Sequence, residues 1–296
     1  MKPLIGLIGG TGLGHALAHE IKGDAIAVET PYGPPSGSIA RGTWQGIDVA
    51  FLPRHGPQHT LPPSAVPYRA NIFALKSIGV THILASGATG SLREELRPRD
   101  LVIPDQVIDK THRRVGTFFD EAGLAAHVEF SQPFCPMLRR VLLDSSSGVD
   151  VTLHDAATYV CMEGPAFSTV AESRMHRSWG GDLIGMTCMP EAKLAREAEI
   201  CYALIALPTD YDCWRPHDPG VSQHELLKEI IGNVEHATAN SVQLLKTALE
   251  AIRAKPLTAC NCQKSLDLAI WTKPAGMDAD IKKKLNPILA RYCSKQ

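Results

Sequence analysis

Leu4-Ile-Gly-Leu-Ile-Gly-Gly-Thr-Gly12 is an apolar run that breaks into glycines near the start of the chain. A short continuous apolar stretch bounded by a turn signal reads as a strand buried on both faces. The pattern recurs. Ile47 to Leu52 runs into Pro53-Arg54-His55-Gly56, and Val80 to Ala85 runs into a glycine-rich loop, Gly87-Ala-Thr-Gly90. Leu101 to Ile103, Thr158 to Met162, Leu183-Ile184 and Ala203 to Leu207 supply shorter β candidates. Helix-period segments lie between them. Tyr68 to Ser77 places Ile72, Phe73 and Leu75 at helical spacing, with Gly79 as its C-terminal cap. Ser222-x-x-Glu225 is a capping box, followed by a stripe of Leu226, Ile230, Val234, Ala237, Val242, Leu245 and Ala248. Strands alternating with helices predict an α/β fold.

One domain is expected over residues 1–254, ending at Lys255-Pro256, with a C-terminal extension over 255–296 that carries Cys260-x-Cys262. The 296 residues are 44% hydrophobic and 21% charged, which excludes disordered and fibrous classes. Lys+Arg 30 against Asp+Glu 31 leaves a formal charge of -1, so nothing drives non-specific binding to nucleic acid or to an anionic membrane. No apolar run approaches the ~18 residues of a spanning helix. The N-terminal apolar stretch is broken by glycines before any cleavage site, so no secretory signal is expected. The expectation is a soluble cytoplasmic protein.

Eight cysteines are too sparse for a disulfide scaffold. Cys135, Cys161, Cys188, Cys201 and Cys213 sit among apolar neighbours and read as buried small hydrophobes. Zinc is disfavoured for Cys260-x-Cys262, because structural sites use wider spacing and need further ligands nearby. No metal site is expected. Free thiols are the preferred state, with a disulfide as the alternative.

The chemistry gathers at strand ends, where ligands bind in open α/β sheets. Glycines let backbone N–H groups approach an anion, while Thr11, Arg54, His55 and Thr187 add donors and charge. Taken one at a time, these are a tight turn, a surface cation and a satisfied histidine. Together they describe a phosphate site. Beyond an apolar strand, Asp210 and Asp212 stand at i and i+2, on one side of an extended backbone. Paired carboxyls can read a purine edge, one accepting from an amino group and one donating to a ring nitrogen. Phe167 is placed either to stack on a base or to pack in the core.

These motifs resemble the methylthioadenosine phosphorylases, within the trimeric purine nucleoside phosphorylase family, over roughly residues 4 to 250. The resemblance rests on Ile8-Gly-Gly-Thr-Gly-Leu13, Pro53-Arg-His-Gly56 with His59, Asn71 through Lys76, and Gly90-Ser-Leu-Arg-Glu94. It continues through Glu163-Gly-Pro165, Phe167-Ser168, Gly185-Met-Thr187, Pro190-Glu191 and Thr209-Asp-Tyr-Asp-Cys-Trp214.

That resemblance implies a nucleoside phosphorylase-like fold, a mixed β-sheet flanked by helices, assembled as a homotrimer or a pair of trimers. It implies phosphorolysis of S-methyl-5'-thioadenosine to adenine and 5-methylthioribose 1-phosphate, in purine and methionine salvage. No cofactor is implied; inorganic phosphate is the co-substrate. Thr11, Arg54, His55 and Thr187 would hold it with the backbone of Gly87 and Ala88. Met186 would pack on the ribose and Phe167 on the base. Ser168, Asp210 and Asp212 would read the purine edge, with Asp210, its pKa raised by burial and by Asp212, as general acid. His127 would reach a neighbouring subunit's site. His59 and the start of the Ser222 helix, with Gln223, Leu226 and Leu227 on one face, would surround the 5' substituent.

Three departures stand out. Gly87 replaces a phosphate-binding Thr, Ala166 replaces an Arg, and Gln223 replaces an apolar residue. Some prokaryotic members carry a Cys-x-Cys extension with disulfides, which raises that alternative here. Acids rather than an Asn at the Asp210-Tyr-Asp212 strand end favour adenine over 6-oxopurines. A broader nucleoside phosphorylase and a non-catalytic nucleoside sensor of the same fold are the competing functions.

Overall fold

The computed structural model describes residues 3–10, 12–18, 20–216 and 220–293. Eleven strands form one mixed sheet: β1 (Leu4–Gly9), β2 (Lys22–Ile26), β3 (Ile39–Trp44), β4 (Ile47–Pro53), β5 (Val80–Ser91), β6 (Leu101–Val102), β7 (Gln106–Asp109), β8 (Leu153–His154), β9 (Thr158–Cys161), β10 (Leu183–Gly185) and β11 (Cys201–Asp210). Eight α-helices accompany them among the described residues: α1 (Leu13–Ala18), α2 (Tyr68–Ser77), α3 (Pro136–Asp144), α4 (Val170–Ser178), α5 (Cys188–Glu197), α6 (Gln223–Ala254), α7 (Ala279–Lys284) and α8 (Asn286–Cys293).

The main path runs β2-β3-β4-β1-β5-β10-β9-β7, and β11 branches from β5 toward β6 and β8. β1, β4, β5 and β11 are parallel neighbours, as are β7, β9 and β10. β5 is the hinge of this topology. It pairs with β1 from Val80 to Ala85 and with β11 from His82 to Gly90, and it meets β10 at Gly90 and Ser91.

Alternation along each central strand builds two cores. On β11, Tyr202, Leu204 and Ala206 face one core; Cys201, Ala203, Ile205 and Leu207 face the other. On β1, Leu4 and Ile8 take the first side, and Ile5 and Leu7 the second. Period-two alternation with both faces apolar is why these segments read as continuous hydrophobic runs. α2 and α5 cover the first core. α6 covers the second with Ala237, Leu244, Leu245, Ala248, Leu249 and Ile252.

α2 occupies the range read from its spacing, and Gly79 follows with φ +92. The capping box of α6 is present, the Ser222 side chain accepting from the Glu225 N–H and the Glu225 side chain from the Ser222 N–H. Gly87-Ala-Thr-Gly90 is not a loop: it lies inside β5. The C-terminal segment joins the same body. Leu266, Ile281, Leu285, Ile288 and Leu289 enter the first core and Cys262 the second. No helix among the described residues is long and apolar enough to cross a membrane.

Candidate active site

The carboxyl ends of the parallel strands open into one cavity of about 680 Å³. Gly10 enters it from β1, Arg54 and His55 from β4, and Gly87 to Gly90 from the end of β5. Met186 and Thr187 follow β10, Thr209 and Asp210 end β11, and Asp212 lies just beyond.

Arg54 is fully buried and held on three sides. Its Nε donates to Glu191 Oε2 at 2.7 Å, Nη2 to Glu191 Oε1 at 2.8 Å, and Nη1 to the Ser86 carbonyl at 2.8 Å. Tyr202 donates its hydroxyl to the same Glu191 at 2.7 Å. Burial opposes the charge on Arg54, but the Glu191 carboxylate overrides it and keeps the guanidinium firmly protonated. Such bidentate pairing fixes the plane of the guanidinium. Gly10 lies against it: a Cβ there would sit 2.9 Å from Arg54 Nη1 and 2.9 Å from the Ser86 carbonyl oxygen. Gly87 is different, since its Cβ would meet Thr187 Oγ1 at 3.5 Å and Arg54 Nη1 at 3.9 Å, ordinary contacts.

His55 Nδ1 is 2.8 Å from the Leu61 carbonyl oxygen, which can only accept. Nδ1 therefore carries the proton, and in the neutral ring Nε2 is an acceptor. Burial, then the Arg54 charge, push the His55 pKa down to about 4, so the ring is neutral at pH 7. His59 lies over it with ring centroids 4.4 Å apart, and also lines the cavity.

At the far end, Asp210 is half-buried. Its Oδ1 accepts from the Thr209 hydroxyl at 2.7 Å and its Oδ2 from the Asp212 backbone N–H at 3.0 Å. Both contacts orient the carboxyl toward the cavity end of β11. Asp212 stands at φ +46, and its Oδ2 is buried without a hydrogen-bond partner among the described residues. A buried acceptor in that state marks a position where a donor belongs. Ser168 and Phe167 line the cavity too. Phe167 is not core but 85% exposed at the mouth.

The sequence-derived site residues thus divide. Arg54, His55, His59, Gly87, Ala88, Phe167, Ser168, Met186, Thr187, Asp210 and Asp212 share the cavity. Thr11 lies outside the described residues. His127 stands away from the cavity, exposed, with its ring edge-on to Trp271 at 5.2 Å. Gln223 and Leu227 do not reach the cavity wall; both are exposed on the first turns of α6. Leu226 lines a neighbouring hollow instead. Ile230 and Val234, one and two turns further on, form the α6 part of the wall, with Leu61, Pro62 and Pro63 also lining the cavity.

Several supporting residues carried no sequence signal. Arg114, with its side chain 2% exposed, donates to the carbonyls of Met186 at 2.6 Å, Met189 at 2.7 Å and Glu163 at 2.6 Å. It thereby fixes the backbone that carries Met186 and Thr187. Burial pushes against the charge on Glu163, but the N–H groups of His112 and Arg113 and the Arg114 guanidinium hold its carboxyl below the usual range. Asn233 donates to the Thr209 carbonyl at 2.8 Å and accepts from Arg99 at 2.7 Å, tying α6 to the end of β11.

Comparison with known proteins agrees with this geometry. Residues 4–250 match the model of the phosphorylase superfamily. A curated relative, the S-methyl-5'-thioadenosine phosphorylase of Gloeobacter violaceus, is 48% identical over 292 residues, covering 97% of this chain and 95% of that one. Among solved structures, a methylthioadenosine phosphorylase from an antarctic soil metagenomic library superposes with TM-score 0.85 at 44% identity, covering 97% of this chain and 99% of the other. A methylthioadenosine phosphorylase from Schistosoma mansoni, solved with adenine, gives TM-score 0.77 at 36% identity, covering 86% and 93%.

Proposed function

The chain belongs to the phosphorylase superfamily, and on that premise we propose that it cleaves S-methyl-5'-thioadenosine with inorganic phosphate, releasing adenine and 5-methylthioribose 1-phosphate. It is a nucleoside phosphorylase, a pentosyltransferase serving purine and methionine salvage. The observation that supports the reading is a single cavity joining a cradle of anion donors at Arg54, Gly87 and Thr187 to an acidic edge at Asp210 and Asp212.

In this reading, phosphate sits between Arg54, His55 and Thr187, under the backbone of Gly87 and Ala88. Met186 packs on the ribose. Phe167 covers the base. The purine edge meets Ser168 and the two acids, with Asp212 Oδ2 accepting from the 6-amino group. The methylthio group takes the apolar wall of Leu61, Pro62, Pro63, Ile230 and Val234, beside His59. Phosphate attacks C1' as the bond to N9 lengthens, and its negative charge stabilises the oxocarbenium character at C1'. Electron density withdrawn into the purine makes N7 basic, and Asp210 shares or transfers a proton there. Phosphate and nucleoside suffice for this chemistry.

Cytoplasmic location and assembly as a trimer, or a pair of trimers, belong to the same proposal. Leu268 at 94% and Trp271 at 72% exposure form an apolar face beside His127, the kind of surface a subunit covers. All the reacting groups lie within residues 1–254, with 255–296 as the extension that braces them.

The direct test is adenine release from methylthioadenosine with and without phosphate, beside adenosine and methylthioinosine. Phosphate-dependent release from the 6-amino substrates is expected; release without phosphate, or none, overturns the reading. Asp210→Asn should lower kcat by about 10²–10⁴-fold, the usual contribution of a general acid. Its KM for phosphate should stay near the parent value, and an equal loss in both constants would remove the acid role.

A further inference from the structure

Cys135, Cys201, Cys260 and Cys262 come from three separate parts of the chain, yet their Sγ atoms all lie within 4.8 Å of one another. Cys135 caps the start of α3, its backbone N–H donating to the Tyr202 carbonyl at 2.8 Å. Cys201 begins β11, and Cys260 and Cys262 occupy the turn after α6. Cys135 and Cys201 are fully buried, Cys262 is 6% exposed, and Cys260 is half-buried. Cys135 Sγ and Cys260 Sγ are 3.6 Å apart. Spacing along the sequence argued against zinc; folding supplies the two ligands that the Cys-x-Cys pair lacked.

We propose that these four thiols form a structural tetrathiolate site for Zn²⁺, which fastens the C-terminal extension to the start of β11. The geometry suits one ion. With Zn–S bonds of about 2.3 Å, the sulfurs of a regular tetrahedron stand about 3.8 Å apart. That spacing matches the Cys135–Cys260 separation and fits within the limit for the whole group. A disulfide needs its sulfurs about 2.05 Å apart. The backbone also prepares for a metal-bound sulfur, since the Gln263 N–H donates to the Cys260 side chain, a contact that orients and tunes a thiolate ligand. Binding replaces four S–H protons with four S–Zn bonds and releases those protons to solvent. No electron is transferred, so no oxidant is needed. The site belongs to stability and stands apart from the phosphate cavity, because Cys201 and Asp210 occupy opposite ends of β11, about 30 Å apart for a strand of this length.

The test uses the full chain, purified without chelator or affinity metal. Elemental analysis should find about one zinc per chain, and thiol titration in denaturant with chelator should recover all eight cysteines without reductant. Exchange with Co²⁺ should give sulfur-to-cobalt charge-transfer bands and the visible bands of a tetrahedral site. Cys260→Ser, at the most exposed of the four positions, should lower zinc content and Tm, while Cys293→Ser should change neither. Zinc-free protein with every thiol free overturns the proposal. So does a shortfall of thiols traced to disulfide-linked peptides among these four cysteines.

Discussion

Two glycines beside Arg54 differ in a way only coordinates reveal. At Gly10 a side chain would strike the guanidinium and the Ser86 carbonyl, so the missing Cβ is what lets β1 close over the buried ion pair. At Gly87 there is room, and the space faces Thr187 Oγ1 and Arg54 Nη1. Gly87→Thr should therefore add a donor to the anion cradle. One more hydrogen bond to a charged group contributes about 1.5 kcal/mol, so the KM for phosphate should fall by roughly tenfold, read from initial rates at varied phosphate. An unchanged KM would place the anion elsewhere. Arg54 and His55 were legible in the sequence because they follow an apolar strand directly. Glu191 was read only as part of a motif, its pairing with Arg54 unseen, and Arg114 was not read at all. Glu191 lies 137 positions from Arg54, and Arg114 acts through carbonyl oxygens, which every residue carries.

Among the elements, α6 was read correctly as a helix, cap included, but the stretch of it that lines the cavity lies one to two turns beyond the residues assigned. Its first turns project past the core, leaving Leu227 at 56% and Ile231 at 51% exposure. Asn233, bonded to the Thr209 carbonyl, sets the rotation that turns Ile230 and Val234 inward. Periodicity fixes which residues share a stripe, but not where along a 32-residue helix that stripe meets a cavity. Val234→Thr, close in volume, should lower the ratio of kcat/KM for methylthioadenosine over adenosine by about 3–10-fold, in line with the transfer energy of one or two apolar groups. Gln223→Val should leave that ratio unchanged. The reverse outcome would restore Gln223 to the pocket. β5 shows the opposite failure: its glycines suggested a loop, because glycine weakens an isolated strand. Here Gly90 is what the sheet demands, since a Cβ on it would come within 2.9 Å of Ile184 and 3.2 Å of the Asp212 Cβ.

For the whole molecule, two buried titratable groups pull stability in opposite directions as the solution is acidified. Burial lowers the His55 pKa from 6.5 to about 4, so the unfolded chain takes up its proton first. The stability this gives is complete above pH 6.5 and is lost as the pH falls toward 4. Burial raises the Glu197 carboxyl from 4.5 to about 7, against hydrogen bonds from the Phe118 N–H and the Thr117 hydroxyl. The folded chain protonates first there, so stability is gained as the pH falls from 7 toward 4.5. Each contribution is of order 3 kcal/mol, and over this window they largely cancel. Glu197→Gln can still accept from the Phe118 N–H, with its amide N–H turned to donate to the Thr117 hydroxyl oxygen, and it removes the gain, so its Tm should drop more steeply than the parent's between pH 7 and pH 5. Parallel melting curves would show that Glu197 does not titrate in this range. The sequence disclosed the two-sided core that makes such burial possible, since its strands are apolar at consecutive positions. It was silent on which acid would be enclosed, because Glu197 is buried by the approach of the segment around Phe118, a long-range event.

The Leu61 carbonyl that holds the proton of His55 on Nδ1 gives the cavity a chemical preference between oxyanions. On the proposed reading, the nitrogen facing the bound anion is a lone pair, beside an arginine whose charge is already balanced by Glu191. Phosphate near neutrality retains at least one acidic hydrogen and can donate it there. Sulfate, of the same shape and size, has none to give and would set oxygen lone pairs against nitrogen. On that reading, a single backbone carbonyl favours phosphate over sulfate as the attacking group.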